Sequence, residues 1–247
     1  MDDELILSLE EHDTAVTLVV RGALTRPATA LDRVLRKALL DRGRLVVDVT
    51  QMRVLWRPAL AVFTTALASA GGWPLARLVI VDAEGGVAQE LRASGRSDDV
   101  VLAADRAAGR RAMDRRPARV RRASDLPHDT TAPGYTRVLV REACAEWALD
   151  DDVDRIVAVA NELVTNAVEH TGGRLVLHLS HDRRGLTVGV RDGSVWAGMR
   201  PEAVPDAEQF GLRLVASLSD RGGVLRHGDG KTVWALLRSG TAGEPPR

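Results

Sequence analysis

The chain is predicted to be an α/β unit followed by an α+β unit, on three observations. Strand-like and helix-like segments alternate from Leu5 to Met113, helical patterns come first and strands later between Tyr135 and Leu237, and apolar periodicity fades over Arg110–Pro133. Alternation favours a parallel or mixed sheet with helices packed on it, whereas grouped helices and strands favour helices on one face of a sheet. With 247 residues, 45% of them hydrophobic, the chain is long enough for two modest cores.

In the first half, Leu5–Leu9 and Thr14–Arg21 read as a hairpin turning at His12-Asp13 and ending before Gly22. A helix near Ala28–Leu40, a strand at Leu45–Val49, a helix near Pro58–Ser69, a strand at Leu78–Asp82 and a helix near Gly86–Arg92 follow. Val100–Leu102 adds a last strand before a helix over Ala103–Met113. Arg115, Arg116, Arg119, Arg121 and Arg122 then crowd around Pro117, which marks the domain boundary. We read the run as a solvated linker or an edge strand at Ala118–Ala123 rather than as a phosphate-binding tether, since no stacking aromatic lies beside it.

The second half opens with helices at Tyr135–Trp147 and Val153–Glu169, followed by strands at Arg174–Ser180 and Leu186–Arg191. Ser194–Phe210 contains Pro201 and Pro205 and has little periodicity. A helix at Gly211–Leu218 and a hairpin of Val224–His227 with Thr232–Leu237, turning through Gly228-Asp229-Gly230, complete the chain. The resulting divisions are 1–114, a linker at 115–131, 132–238 and a tail at 239–247.

Composition excludes several classes. The 34 basic and 34 acidic residues cancel, which argues against nucleic acid or an anionic membrane as a direct partner. The longest apolar segments, such as Ala59–Ala70, are too short to span a bilayer, and no signal-like start is present. Cys144 is the single cysteine, so no internal disulfide forms and a cytoplasmic setting is expected. His170, His178 and His181 lack the spacing of a zinc site.

The helix at Val153–Glu169 carries the chemistry. Ile156, Val157, Ala160, Leu163, Val164, Ala167 and Val168 cover most of its circumference, leaving Arg155, Glu162, Asn166 and Glu169 as a narrow polar stripe. Glu162 and Asn166, at i and i+4, stand above one another. Spacing alone favours the solvated edge of a buried helix over a functional stripe.

The string Asn161-Glu162-Leu163-Val164-Thr165-Asn166-Ala167-Val168-Glu169-His170 resembles the N-box of the GHKL superfamily, in wording nearest to the anti-sigma-factor serine/threonine kinases. The resemblance implies a GHKL (Bergerat) α/β sandwich that binds ATP with Mg²⁺. It assigns the Mg²⁺ ligand to Asn166 and the base that takes a proton from the attacking hydroxyl to Glu162, roles that suit an amide oxygen and a carboxylate. Val190-Arg191-Asp192-Gly193 is similar to the first glycine box, in which Asp192 accepts a hydrogen bond from the adenine amine and Gly193 adjoins it. Gln209-Phe210-Gly211-Leu212-Arg213-Leu214-Val215 is similar to the second, which implies phosphate contacts at Gly211 and Leu212. Gly230-Lys231-Thr232-Val233-Trp234 resembles the last family strand, with Thr232 supporting the adenine-reading aspartate. Gly230-Lys231-Thr232 also mimics the end of a P-loop, but Leu225 stands where the earlier glycine belongs. Ser194 and Trp196 stand at glycine positions of the first box, and Gln209 at one of the second.

Residues 4–113 resemble the STAS fold of anti-sigma-factor antagonists, through Arg44-Leu45-Val46-Val47-Asp48-Val49 and Met52-Arg53-Val54-Leu55-Trp56-Arg57-Pro58-Ala59-Leu60. Active antagonists carry a phosphate-accepting serine in that loop. Pro58 occupies the aligned position and has no hydroxyl, which implies a docking or oligomerisation module without the switch. The expected function is an anti-sigma-factor-type kinase acting on a separate STAS-type antagonist, with a sigma factor and a second copy of the chain as further partners. The other expectation is a non-catalytic ATP-binding or partner-binding module, for which the substituted glycines speak. A sensor histidine kinase ranks behind both, for want of a phosphoacceptor-helix pair.

Overall fold

The computed structural model describes residues 5–12, 15–25, 28–82, 85–193 and 210–238. Contacts along the chain divide it into units 1–122 and 123–247.

The first unit is a mixed five-stranded sheet with interleaved helices. Its elements are β1 (Ile6–His12), β2 (Ala15–Leu24), α1 (Thr29–Arg42), β3 (Arg44–Val54), α2 (Ala61–Ser69), β4 (Arg77–Val81), α3 (Gly86–Ala93), β5 (Val101–Ala103) and α4 (Arg106–Arg111). The strand order is β1-β2-β3-β4-β5, with β1 antiparallel to β2 and every later pair parallel. Leu45 to Val49 are all buried, as a strand covered on both faces requires. Leu45, Val47 and Val49 join the larger core with Leu31, Leu35, Phe63 and Leu91. Val46 points the other way, to Val79, Val81, Val101 and Met113. Pro58 sits in a short 3-10 turn, Arg57–Leu60, ahead of α2, which suits its fixed φ and missing N–H. Helix α4 is shorter than expected because Asp105 caps it, accepting from the Ala108 amide at 2.7 Å.

The second unit contains β6 (Val120–Leu126), α5 (Ala132–Trp147), α6 (Val153–His170), β7 (Leu175–Asp182), β8 (Gly185–Asp192), α7 (Phe210–Leu218), β9 (Arg221–His227) and β10 (Gly230–Leu237), and its sheet order is β6-β7-β8-β10-β9. Strand β6 lies within the stretch expected as a linker or an edge strand at Ala118–Ala123, and the division between the units falls inside it. Its alternation was obscured in the sequence by Arg122, which is 4% exposed and donates from Nε to the Gly71 carbonyl. Strand β9 begins earlier than expected, at Arg221, because Gly223 mutes the strand pattern. A Cβ there would stand 3.2 to 3.3 Å from atoms of the Trp234 ring, so glycine is what lets β9 pass beneath the indole.

Register fixes which side chains share a face of this sheet. Leu175, Leu177 and Leu179 of β7 align with Asp192, Val190 and Val188 of β8, and these align with Lys231, Val233 and Ala235 of β10. This row faces the helices: α6 packs on β8, β10, α5 and α7, through Ile156, Val159, Ala160, Leu163 and Val164, all at most 2% exposed. Among the described residues no helix is long and apolar enough to cross a membrane.

Candidate functional site

The polar stripe of α6 divides into two parts with different tasks. Arg155, near its start, is a structural hub. Its guanidinium donates to the Leu218 carbonyl at 2.8 Å, to the Arg238 carbonyl at 3.3 Å, and to Asp152 and Asp220 at 3.3 and 3.2 Å. It thereby caps the last turn of α7 and ties the end of β10 to α6. Further along, Glu162 and Asn166 are half-buried, Glu169 is exposed, and its carboxylate lies 4.0 Å from His170 Nε2. Asn161, next to Glu162, has a buried Oδ1 without a hydrogen-bond partner in the structure. The stripe therefore offers a carboxylate and amide oxygens on a helix otherwise sealed into the core.

Asp192 ends the buried row of β8 and is 1% exposed. A carboxylate so enclosed is costly unless donors meet it. The backbone around it is tightly packed. A Cβ on Gly193 would stand 3.1 Å from the Arg174 amide nitrogen, and one on Gly230, where φ is +148°, would stand 2.0 Å from the Asp192 carbonyl oxygen. Glycine at both positions lets β7, β8 and β10 converge at the carboxylate. Gly193 was singled out in the sequence; Gly230 was read as part of a turn and of the last family strand, with no role of its own. Its pairing across the ladder is what reveals its role.

Thr232 requires a correction. It was expected to support Asp192, but Lys231 is the residue opposite Asp192, and Thr232 pairs with Arg191. Alternation along a strand sends Thr232 to the other face of the sheet, where its hydroxyl meets His227 Nε2 at 2.9 Å. Gly211 and Leu212 lie in the first turn of α7, which packs on α6. The expected lid, Ser194–Phe210, falls outside the described residues except for its last position, and with it the substituted positions Ser194, Trp196 and Gln209.

Among the described residues no group of three or more His, Cys, Asp or Glu side chains could hold a metal ion. A protein-only cage is thus absent among them, and the amide oxygen of Asn166 fits a hard cation that takes most of its oxygens from phosphates and water. The enclosed carboxylate of Asp192 fits a ligand amine. Both groups are compatible with the residues present.

Comparison with known proteins gives a family match and distant structural likenesses. Residues 126–237 match the histidine kinase-like ATPase domain family. No curated protein matches the chain. Among solved structures, an anti-sigma factor antagonist from Mycobacterium paratuberculosis is 17% identical, with a TM-score of 0.42, over 46% of this chain and 97% of that one. The RsbU and RsbW domains of a Mycobacterium tuberculosis protein are 22% identical, with a TM-score of 0.38, over 48% of this chain and 32% of that one. These scores are too low to define the fold, which rests on the strand order and register above. The span of the family match coincides with the second sheet and its helices, so residues 126–237 are similar to the histidine kinase-like ATPase domain family.

Proposed function

We propose that this protein binds Mg-ATP in its C-terminal unit and transfers phosphate to a serine or threonine of a separate STAS-type antagonist, as an anti-sigma-factor-type kinase does. The observation that carries the reading is the enclosed Asp192 carboxylate, 1% exposed, at the end of the strand on which the Glu162–Asn166 helix packs. In this reading Asp192 accepts from the adenine amine, beside Gly193. Asn166 offers its amide oxygen to Mg²⁺, which supplies charge neutralisation across the phosphates when bound. Gly211 and Leu212 present backbone amides at the start of α7. Glu162 accepts the proton of the attacking hydroxyl. Thr232 is left out of the pocket.

The first unit, which the sequence likens to a STAS domain over 1–114, serves in this proposal as a docking or oligomerisation module in a cytoplasmic partner-switching system, with a sigma factor and a second copy of the chain as further partners. Pro58 in its switch loop cannot accept phosphate. A second reading, a non-catalytic nucleotide- or partner-binding module, is favoured by Ser194, Trp196 and Gln209 standing at glycine positions.

Calorimetry with ATP, with and without Mg²⁺, tests binding. Phosphate transfer to STAS-type antagonists from the same cell then separates the two readings. Mg²⁺-dependent binding with transfer supports the kinase; binding without transfer to any of them supports the non-catalytic module; no binding removes both nucleotide readings.

A further inference from the structure

Lys231 is the member of this site that the motifs leave unexplained. The chain is rich in arginine, and Lys37 and Lys231 are its only lysines. Two side chains flank Asp192 across the sheet, Leu175 from β7 and Lys231 from β10. Of these only Lys231 carries a hydrogen-bond donor. Directly opposed side chains leave the sheet on the same face with Cβ atoms about 5 Å apart. A flexible four-carbon stem is long enough to take an ammonium past a carboxylate at that spacing, to a ligand the carboxylate holds. Register slippage is blocked, because Gly230 already lies against the Asp192 carbonyl, with no room for a Cβ. Lys231 is half-buried and makes no ion pair with another described residue.

An adenine whose exocyclic amine is held by Asp192 presents the adjacent ring nitrogen, N1, as an acceptor. We infer that Lys231 is a specificity-determining residue whose ammonium donates to that N1. This rests on the nucleotide reading above and adds a second reader of the base. Guanine reverses both groups, turning a carbonyl toward the carboxylate and an N–H toward the ammonium. The Asp192–Lys231 pair therefore selects adenine by repulsion as well as attraction.

The test is calorimetry on the full chain with ATP, with 1-deaza-ATP, which lacks only the N1 acceptor, and with GTP. The unmodified protein is expected to bind ATP about tenfold more tightly than 1-deaza-ATP, the size of one charge-assisted hydrogen bond. In Lys231→Met that preference should shrink to about one, and the preference for ATP over GTP should fall with it. Lys231→Arg, which keeps a donor, should retain most of both. Melting curves without nucleotide identify a variant that fails to fold, and the comparison of ATP with 1-deaza-ATP on the unmodified protein needs no variant. Equal affinity of the unmodified protein for those two ligands overturns the inference while leaving nucleotide binding intact. Tighter ATP binding by Lys231→Met also overturns it, marking Lys231 as a counter-ion that competes for Asp192. Failure of the unmodified protein to bind any of the three removes the nucleotide reading itself.

Discussion

Glu162 and Asn166 are neighbours on one helical face, yet the proposed mechanism gives them separable tasks. Asn166→Ala should weaken Mg-ATP binding and everything downstream. Glu162→Gln should leave binding near normal while phosphate transfer falls by roughly a hundredfold or more. Affinity by calorimetry and transfer by radiolabel distinguish the two, and loss of folding in both variants would return the stripe to a supporting edge of the core. Cys144 allows a simpler check. Burial, with the charges of Asp150 and Asp152, pushes its thiol up to about 11, and it is 1% exposed. It should resist a thiol reagent at pH 8 and react at once when the protein is unfolded in guanidinium.

Asp48 shows how residue chemistry sets a pH response. Burial raises its carboxyl, but hydrogen bonds from Arg106 and Thr50 outweigh burial and hold it below its ordinary value. The Arg106 Nε lies 2.5 Å from Asp48 Oδ2, and Nη1 lies 2.7 Å from Glu10 Oε2. A carboxyl lowered by folding stabilises above its unfolded pKa, and that contribution is lost as pH falls through the folded value. Denaturant titrations should therefore show stability declining below about pH 4. In Arg106→Met the acid-side slope should flatten and stability at neutral pH should drop by about 2 kcal/mol, between the values for surface and fully buried pairs.

At the level of elements, the contact between β8 and β10 leaves no room for a side chain at Gly230. Gly230→Ala places a methyl where the Asp192 carbonyl already stands, at 2.0 Å. It should cost about 2 kcal/mol or more by chemical denaturation and abolish nucleotide binding with it. Gly86→Ala, at the first position of α3 with nothing within 4 Å of the added methyl, is the matched control and should change stability by less than about 1 kcal/mol. Most elements were legible in the sequence because their periods were clean: α5 and α6 show a helical repeat, and β3, β7, β8 and β10 run apolar residues toward a core. Strand β6 was left open between a linker and an edge strand at Ala118–Ala123, because a buried arginine, Arg122, broke its alternation. The start of β9 was missed because its reason, the Trp234 ring over Gly223, lies on the neighbouring strand.

Across the whole chain, the placement of β6 decides where a stable C-terminal fragment begins. This strand is the neighbour of β7 in the second sheet, and Asp125 pairs with Arg174 at 2.6 and 3.0 Å within the same unit. A fragment starting at residue 132 would uncover the backbone edge of β7 and should aggregate or melt lower than one starting at residue 116. Size-exclusion chromatography and melting curves compare the two directly.

The sequence by itself determined the succession of helices and strands, the grouping into an α/β half and an α+β half, and the adjacency of Glu162 and Asn166, because each depends only on spacing along one element. Asp192 was singled out only through the resemblance of Val190-Arg191-Asp192-Gly193 to a glycine box. Tertiary structure alone decided which residues face that carboxylate. Two strands distant in sequence must align before Lys231, rather than Thr232, stands across from Asp192, and a shift of one residue exchanges the two faces of a strand. The same holds for Gly230, whose necessity comes from a carbonyl on another strand and leaves no trace in its own local pattern.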